Sequence, residues 1–164
     1  SSEGLSTYGA LLLRGAVAAA LNENRASAGL LMNEADAAAR RLGHDGNAYW
    51  TAFGPTNVAQ HRVHVAMLLG DAGAAVDLAG RINLDKITIV ERKASLFIDM
   101  AAALAQWGKH ERAYHALRQA EQAAPEEVRT RRAAHQLVVD LASRGPHTVR
   151  RHAREFAEHI GVPI

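Results

Sequence analysis

The chain contains no cysteine, which removes disulfide frameworks, thiolate zinc sites and cysteine nucleophiles at once. That agrees with a cytoplasmic location. Only 4 of its 164 residues are proline and 5% are aromatic. A chain so poor in helix breakers and dominated by Ala, Leu, Arg and Glu favours helix over sheet, because those residues lose little freedom in a helix. Net charge is nearly absent too: 19 Lys and Arg against 17 Asp and Glu leave +2, too little in itself to imply nucleic-acid binding. The apolar stretch from Ala10 to Leu21 is interrupted by Arg14 and has no basic segment before it, so it reads as neither a membrane span nor a signal peptide. No membrane partner is expected.

Catalytic signatures are missing as well. There is no phosphate loop of the form GxxxxGK[ST], no GxSxG elbow and no HExxH, and Ser27, Ser95 and Ser143 stand in helical contexts. A hydrolase needs a nucleophile, a base and an orienting acid together. The expectation is a non-enzymatic chain with no cofactor. His61 and His64 are three apart, but no carboxylate stands at ligand spacing, so no metal site is expected either.

What is present is a repeated unit. From Ala94 to Glu127, Phe97, Met100, Ala101 and Leu104 form one helical stripe, Gly108 marks a tight turn in WGKHERA, and Ala113, Leu117 and Ala120 form a second stripe before Pro125. Helix, glycine turn, helix and proline is the pattern of a tetratricopeptide (TPR) repeat. The alanines are small where two helices approach, and Phe97, Leu104 and Leu117 fill the space between hairpins. The pattern recurs at LLGDAGAAVDLA, where Gly70 and Ala75 are spaced as Gly108 and Ala113 are. The 38-residue offset between the two glycines exceeds the usual 34, and NLDKITI reads as the lengthened connection. A weaker copy is LLLRGAVAAALNENRASAGLLMNEADAA, in which Asn22 to Asn24 replace the turn glycine.

After Pro125, Glu126 and Glu127 suit a helix start and Arg144 a helix end. Gly145-Pro146 splits this pair, and the last helix starts at His147 or Thr148 and ends near Gly161. The expected fold class is therefore all-α, a TPR-like right-handed α-α superhelix, or solenoid, of about eight helices in four antiparallel pairs. It is read as a single TPR-like domain over 1–164, with repeats near 9–42, 56–89 and 94–127 and a terminal pair at 127–161.

Residues 50 to 66, WTAFGPTNVAQHRVHVA, interrupt this regularity. Pro55 stops any helix coming from Trp50, and Asn57 with Gln60 fits a capping box, Thr56 being the alternative cap. Helical spacing then puts Val58, Ala59, Val63, Ala66 and Leu69 on an apolar side and Asn57, Gln60, His64 and Met67 on a second stripe. In a TPR array that stripe faces the concave groove. Asn57, Gln60, His64 and Met67 are thus candidate ligand contacts, the alternative being a solvated helix face. Trp50 and Phe53 either stack on a ligand or plug the gap between hairpins, and Trp107 is expected in packing between repeats.

The segment from 129 to 164 carries seven arginines, Arg129, Arg131, Arg132, Arg144, Arg150, Arg151 and Arg154, against Asp140, Glu155 and Glu158. Such an end touches phosphates or an acidic partner, or is simply a solvated outer face.

Together, WTAFGPTNVAQHRVHVAMLLGDAGAAVDLA, AQWGKHERAYHALRQAEQAAPEEVRTR and RRHAREFAEHIGV resemble the C-terminal TPR region of actinobacterial helix-turn-helix transcriptional regulators of the XRE class. AFGPTNV and APEEVRTR carry the resemblance. It implies a region that senses a signal or mediates self-association, while DNA is bound by a separate N-terminal helix-turn-helix domain. The chain opens Ser-Ser-Glu-Gly without Met, and an excised or separately encoded effector half is the corresponding expectation. Peptide-sensing relatives hold a peptide backbone with groove asparagines, and Asn57 matches that role. The corresponding stripes Leu13, Val17, Ala20 and Ser95, Ile98, Ala102 are apolar or small and fit a small apolar signal instead. The expected partner is a peptide, small molecule or protein; the alternative is a ligand-independent homodimer or interaction scaffold built on apolar surface of the terminal helices.

Overall fold

A computed structural model describes residues 1–47 and 52–164. Among the described residues every regular element is helical: α1 (Ser2–Leu21), α2 (Arg25–Leu42), α3 (Pro55–Leu68), α4 (Ala72–Gly80), α5 (Val90–Gln106), α6 (His110–Ala123), α7 (Pro125–Thr130), α8 (Arg132–Arg144) and α9 (His147–Ile160), with a 3-10 turn at Leu84–Lys86. Neighbours in sequence pack as hairpins, α1 on α2, α3 on α4, α5 on α6 and α8 on α9. The architecture is all-α and helical-repeat-like.

Three of the hairpins turn in the same way. Glu23, Gly70 and Gly108 take left-handed conformations, with φ of 57°, 80° and 78°. The next residue then donates its N–H to a carbonyl five residues back: Asn24 to Ala19, Asp71 to Ala66 and Lys109 to Leu104. This closes the helix end by satisfying its orphan carbonyls. The following helix starts two residues after the left-handed residue each time. The α1–α2 turn, which lacks a glycine, is therefore built on the same geometry with Glu23 in the strained position. The α8–α9 connection differs, since Gly145 is extended and Pro146 caps α9.

Nine helices among the described residues exceed the expected eight because the segment after Pro125 is broken. α7 ends at Thr130, and Arg131 is extended, with φ −82° and ψ 122°, before α8 begins. The Arg131 guanidinium turns back to Glu127 of α7, while the His135 ring reaches the Arg129 carbonyl across the break. α5 also starts at Val90, four residues before the expected repeat boundary.

The chain divides into two compact units, Ser1–Lys86 and Ile87–Ile164. In the first, α3 packs against both α1 and α2, around a core that includes Leu13, Ala16, Ala28, Met32, Ala35, Phe53 and Val58. α1 is long and apolar enough by composition to cross a membrane; here its Leu12, Leu13, Ala16 and Ala20 are buried, while Leu11 and Leu21 face outward. Arg25 clamps the start of α2 to the α3–α4 turn, donating to the Asp71 carboxylate and, at 3.3 Å, to the Leu69 carbonyl.

In the second unit, α6 and α9 run parallel. Tyr114 stacks on His152 with ring centroids 5.7 Å apart, Arg118 lies 5.5 Å over the Phe156 ring, and His159 Nε2 meets Glu121 Oε1 at 2.9 Å. All three contacts join residues separated by 38 in sequence, the same offset as Gly70 to Gly108. Within this unit the second helices of its two hairpins thus stack in phase. Trp107 is not in packing between repeats: it sits half-exposed at the α5–α6 turn, with Lys109 Nζ 5.4 Å above its ring.

Candidate functional site

The start of α3 is fixed from a distance. Pro55 opens the helix with Gly54 as its cap residue, and no side chain of the segment caps it; proline suits this position because its missing N–H is an orphan in any case. Thr56 and Asn57 therefore lie inside the first turn, which corrects the expected capping box of Asn57 and Gln60. The capping role belongs to Asp45. Its Oδ1 accepts the Thr56 backbone N–H at 2.9 Å and its Oδ2 accepts the Thr56 hydroxyl at 2.6 Å. Gly54 permits this approach, since a Cβ there would lie 2.6 Å from the Asp45 Cα. Gly46 N–H bonded to the Phe53 carbonyl, and Ala52 N–H bonded to Asn47 Oδ1, draw the same loop together.

Phe53 is placed in the core. It is fully buried and its ring lies against the bare backbone of Gly9 on α1, so it anchors the loop and offers no face to a ligand. Asn57 is also inside, at 6% exposure. Its carbonyl accepts from His61 Nδ1 at 2.9 Å, which places the imidazole proton on Nδ1. Trp50 lies outside the described residues.

The other three candidates stay together. Gln60, His64 and Met67 are spaced to share one stripe of α3, and all three are half-buried. Each is already engaged with other groups of the chain, so a ligand here exchanges contacts and does not simply add them. Beside them, Arg62 donates to Asn33 of α2 at 3.2 Å. The result is a polar and thioether edge on a helix held at its start by Asp45 and preceded by the core anchor Phe53, capable of hydrogen bonding and apolar contact but lacking a nucleophile–base pair. Among the described residues no group of three or more His, Asp or Glu is arranged to hold a metal.

The stripes aligned with this edge in the other repeats are different. Leu13 and Ala20 are 1% exposed and Ile98 is 3% exposed, so these three are core positions, while Val17, Ser95 and Ala102 of the same stripes are half-buried. Charged groups are perturbed mainly where they pair. The Arg25 guanidinium, hydrogen-bonded to Asp71, holds that carboxyl below the usual range, and its own pKa is raised in return. Tyr8, donating to Glu34, has its hydroxyl pKa pushed up, and burial lowers that of Arg92.

Sequence spacing alone did not expose two surface features. One is the Tyr114, Arg118, Glu121 ladder against α9. The other is the division of the arginine-rich end: Arg129 and Arg131 are paired with Glu126 and Glu127, while Arg150, Arg151 and Arg154 join His147, Glu155 and Glu158 around a shallow cleft of about 310 Å³ on α9. Comparison of the chain with protein-family models, with curated proteins and with solved structures found no match.

Proposed function

We propose that this chain is a TPR-like signal-sensing or protein-interaction domain of a transcriptional regulator, taking a peptide or small ligand along the α3 edge formed by Gln60, His64 and Met67. The observation that carries the reading is the combination of a half-buried mixed polar and apolar stripe with a rigidly anchored helix. Side chains in that state are partly desolvated before a ligand arrives, so less ordering is required on binding. The repeat-like hairpins and the resemblance to regulators of the XRE class supply the context. DNA contact belongs to a separate helix-turn-helix domain, and the role is non-enzymatic.

Ligand binding transmits a signal only if it favours one arrangement of the chain over another. Thermal-shift screening against a library of short peptides and small apolar compounds tests the site. A compound that raises the melting temperature of the wild type is expected to lose its effect on Gln60→Ala/His64→Ala. Asn57 is left intact because it is buried. Retention of the shift in that variant, at unchanged helix content, would refute the α3 edge as the site.

A further inference from the structure

α9 carries its charges in the reverse of the order its own dipole favours. Helix N-termini stabilise acids and C-termini stabilise bases, yet the first turn of α9 has no acid. Arg150, Arg151 and Arg154 come first, and Glu155 and Glu158 follow. Arg151, Arg154, Glu155 and Glu158 are all exposed, and none of them is in an ion pair among the described residues. Their spacing puts them on one face, and all four line the same shallow cleft with His147 and Arg150.

Charges of both signs in one cleft disfavour a single anion as the occupant. A phosphate or an acidic peptide drawn to the arginines meets Glu155 and Glu158 in the same cleft. What complements both signs is the same stripe running in the opposite direction.

We propose that α9 pairs with α9 of a second copy of this chain, antiparallel about a twofold axis passing between Arg154 and Glu155. In that register Arg151 faces Glu158 of the partner subunit and Arg154 faces Glu155 of the partner subunit. Twofold symmetry repeats both pairs. The four positions span roughly 10 Å of helix at about 1.5 Å per residue, so the pairs form one continuous row. The antiparallel arrangement also sets the arginine-bearing start of one helix beside the acidic end of the other, relieving the dipole mismatch in both. This surface is charged, unlike the apolar terminal-helix surface expected from sequence, and it is separate from the α3 edge. Because exposed ion pairs are individually weak and are screened by salt, the dimer is a weak one that dissociates in high salt.

The test is sedimentation of the full chain over a concentration series in low and in molar salt, with two charge-reversed variants, Arg151→Glu/Arg154→Glu and Glu155→Arg/Glu158→Arg. Each variant alone presents like charges to itself, so its dimer dissociation constant is expected to rise at least about tenfold, equivalent to about 1.4 kcal/mol. An equimolar mixture of the two restores all four opposite-charge pairs and is expected to recover association as a heterodimer. A merely structural effect of either substitution cannot produce that recovery. A wild type that stays monomeric in low salt overturns the proposal, as does a mixture that fails to associate. So does stabilisation of a monomeric wild type by inorganic pyrophosphate, lost in Arg151→Glu/Arg154→Glu, which assigns the cleft to a small anion instead.

Discussion

Gly9→Ala separates packing from helix propensity, because the two effects have opposite signs. In a helix interior, exchanging Gly for Ala stabilises by about 0.5–1 kcal/mol, since glycine loses more backbone freedom on folding. At position 9 the added methyl lands 2.1 Å from Cζ of Phe53, 2.4 Å from Cε2 and 2.5 Å from Cε1. The ring is fully buried and cannot swing into solvent. Forcing an extra methyl into such a site costs about 1–3 kcal/mol, so the net effect is a loss of up to about 2.5 kcal/mol. For a chain of this size each kcal/mol moves the melting temperature by about 2–4 °C. Gly29→Ala in α2 is the internal control, because a Cβ there meets nothing within 4 Å, and it is expected to gain the full about 0.5–1 kcal/mol. Urea unfolding followed by helical circular dichroism reads both changes. Phe53→Leu removes the far edge of the ring, and in that background Gly9→Ala should cost markedly less, a coupling that a double-mutant cycle measures. If Gly9→Ala is as stabilising as Gly29→Ala, the ring does not lie on the Gly9 backbone and the core role assigned to Phe53 is wrong.

The remaining predictions concern the turns and the cap. Asp45→Ala leaves the first turn of α3 uncapped and is expected to lower stability by about 0.5–2 kcal/mol in urea unfolding; Thr56→Val, which keeps the backbone N–H bond, should cost less, and equal costs would place the stabilisation in the hydroxyl alone. Glu23→Gly relieves a left-handed residue at φ 57° and is expected to raise stability by about 0.5–1 kcal/mol after the entropy of an added glycine is deducted; a loss would mean that the Glu23 side chain contributes more than its strain costs. Asp71 has a folded pKa depressed by Arg25, so its contribution is present above the unfolded value of about 4 and is lost as pH falls through the folded one. Asp71→Asn is accordingly expected to flatten the stability–pH curve below about pH 4, and an unchanged acid limb would show that the pair contributes nothing.

Much of the fold was legible because helix hairpins are governed by local rules. Gly70 and Gly108 announced their turns through the one conformation that glycine adopts cheaply, and the alanine stripes announced the close helix faces. Glu23 performs the same turn without that signal, since the surrounding hydrogen bonds impose the conformation and the residue tolerates it. The break at Arg131 was hidden for a similar reason: neither Gly nor Pro marks it, and the segment on either side is individually helical. The candidate site was half legible. Periodicity set Gln60, His64 and Met67 on one half-buried stripe, but it placed Asn57 outside when it is inside, and it missed that the cap at Thr56 is supplied by a carboxylate eleven residues upstream. Spacing within a helix carries no information about such a partner. Phe53 shows the same limit, since only the absence of a side chain at Gly9, on another helix, decides which surface its ring occupies.

The common offset of the three contacts between α6 and α9 makes that pair a ruler for length changes. Residues added between Glu121 and His152 alter the offset without touching a rung, and the helix breaks at Arg131 and at Gly145-Pro146 fall in this interval. One residue added between His152 and His159 turns the helix beyond it by about 100° and carries His159 away from Glu121. Natural insertions and deletions in this half of the chain should therefore collect at the helix breaks around 131 and 145–146 and be rare within 114–121, 134–142 and 152–159, so that the length of a repeat drifts while its register does not.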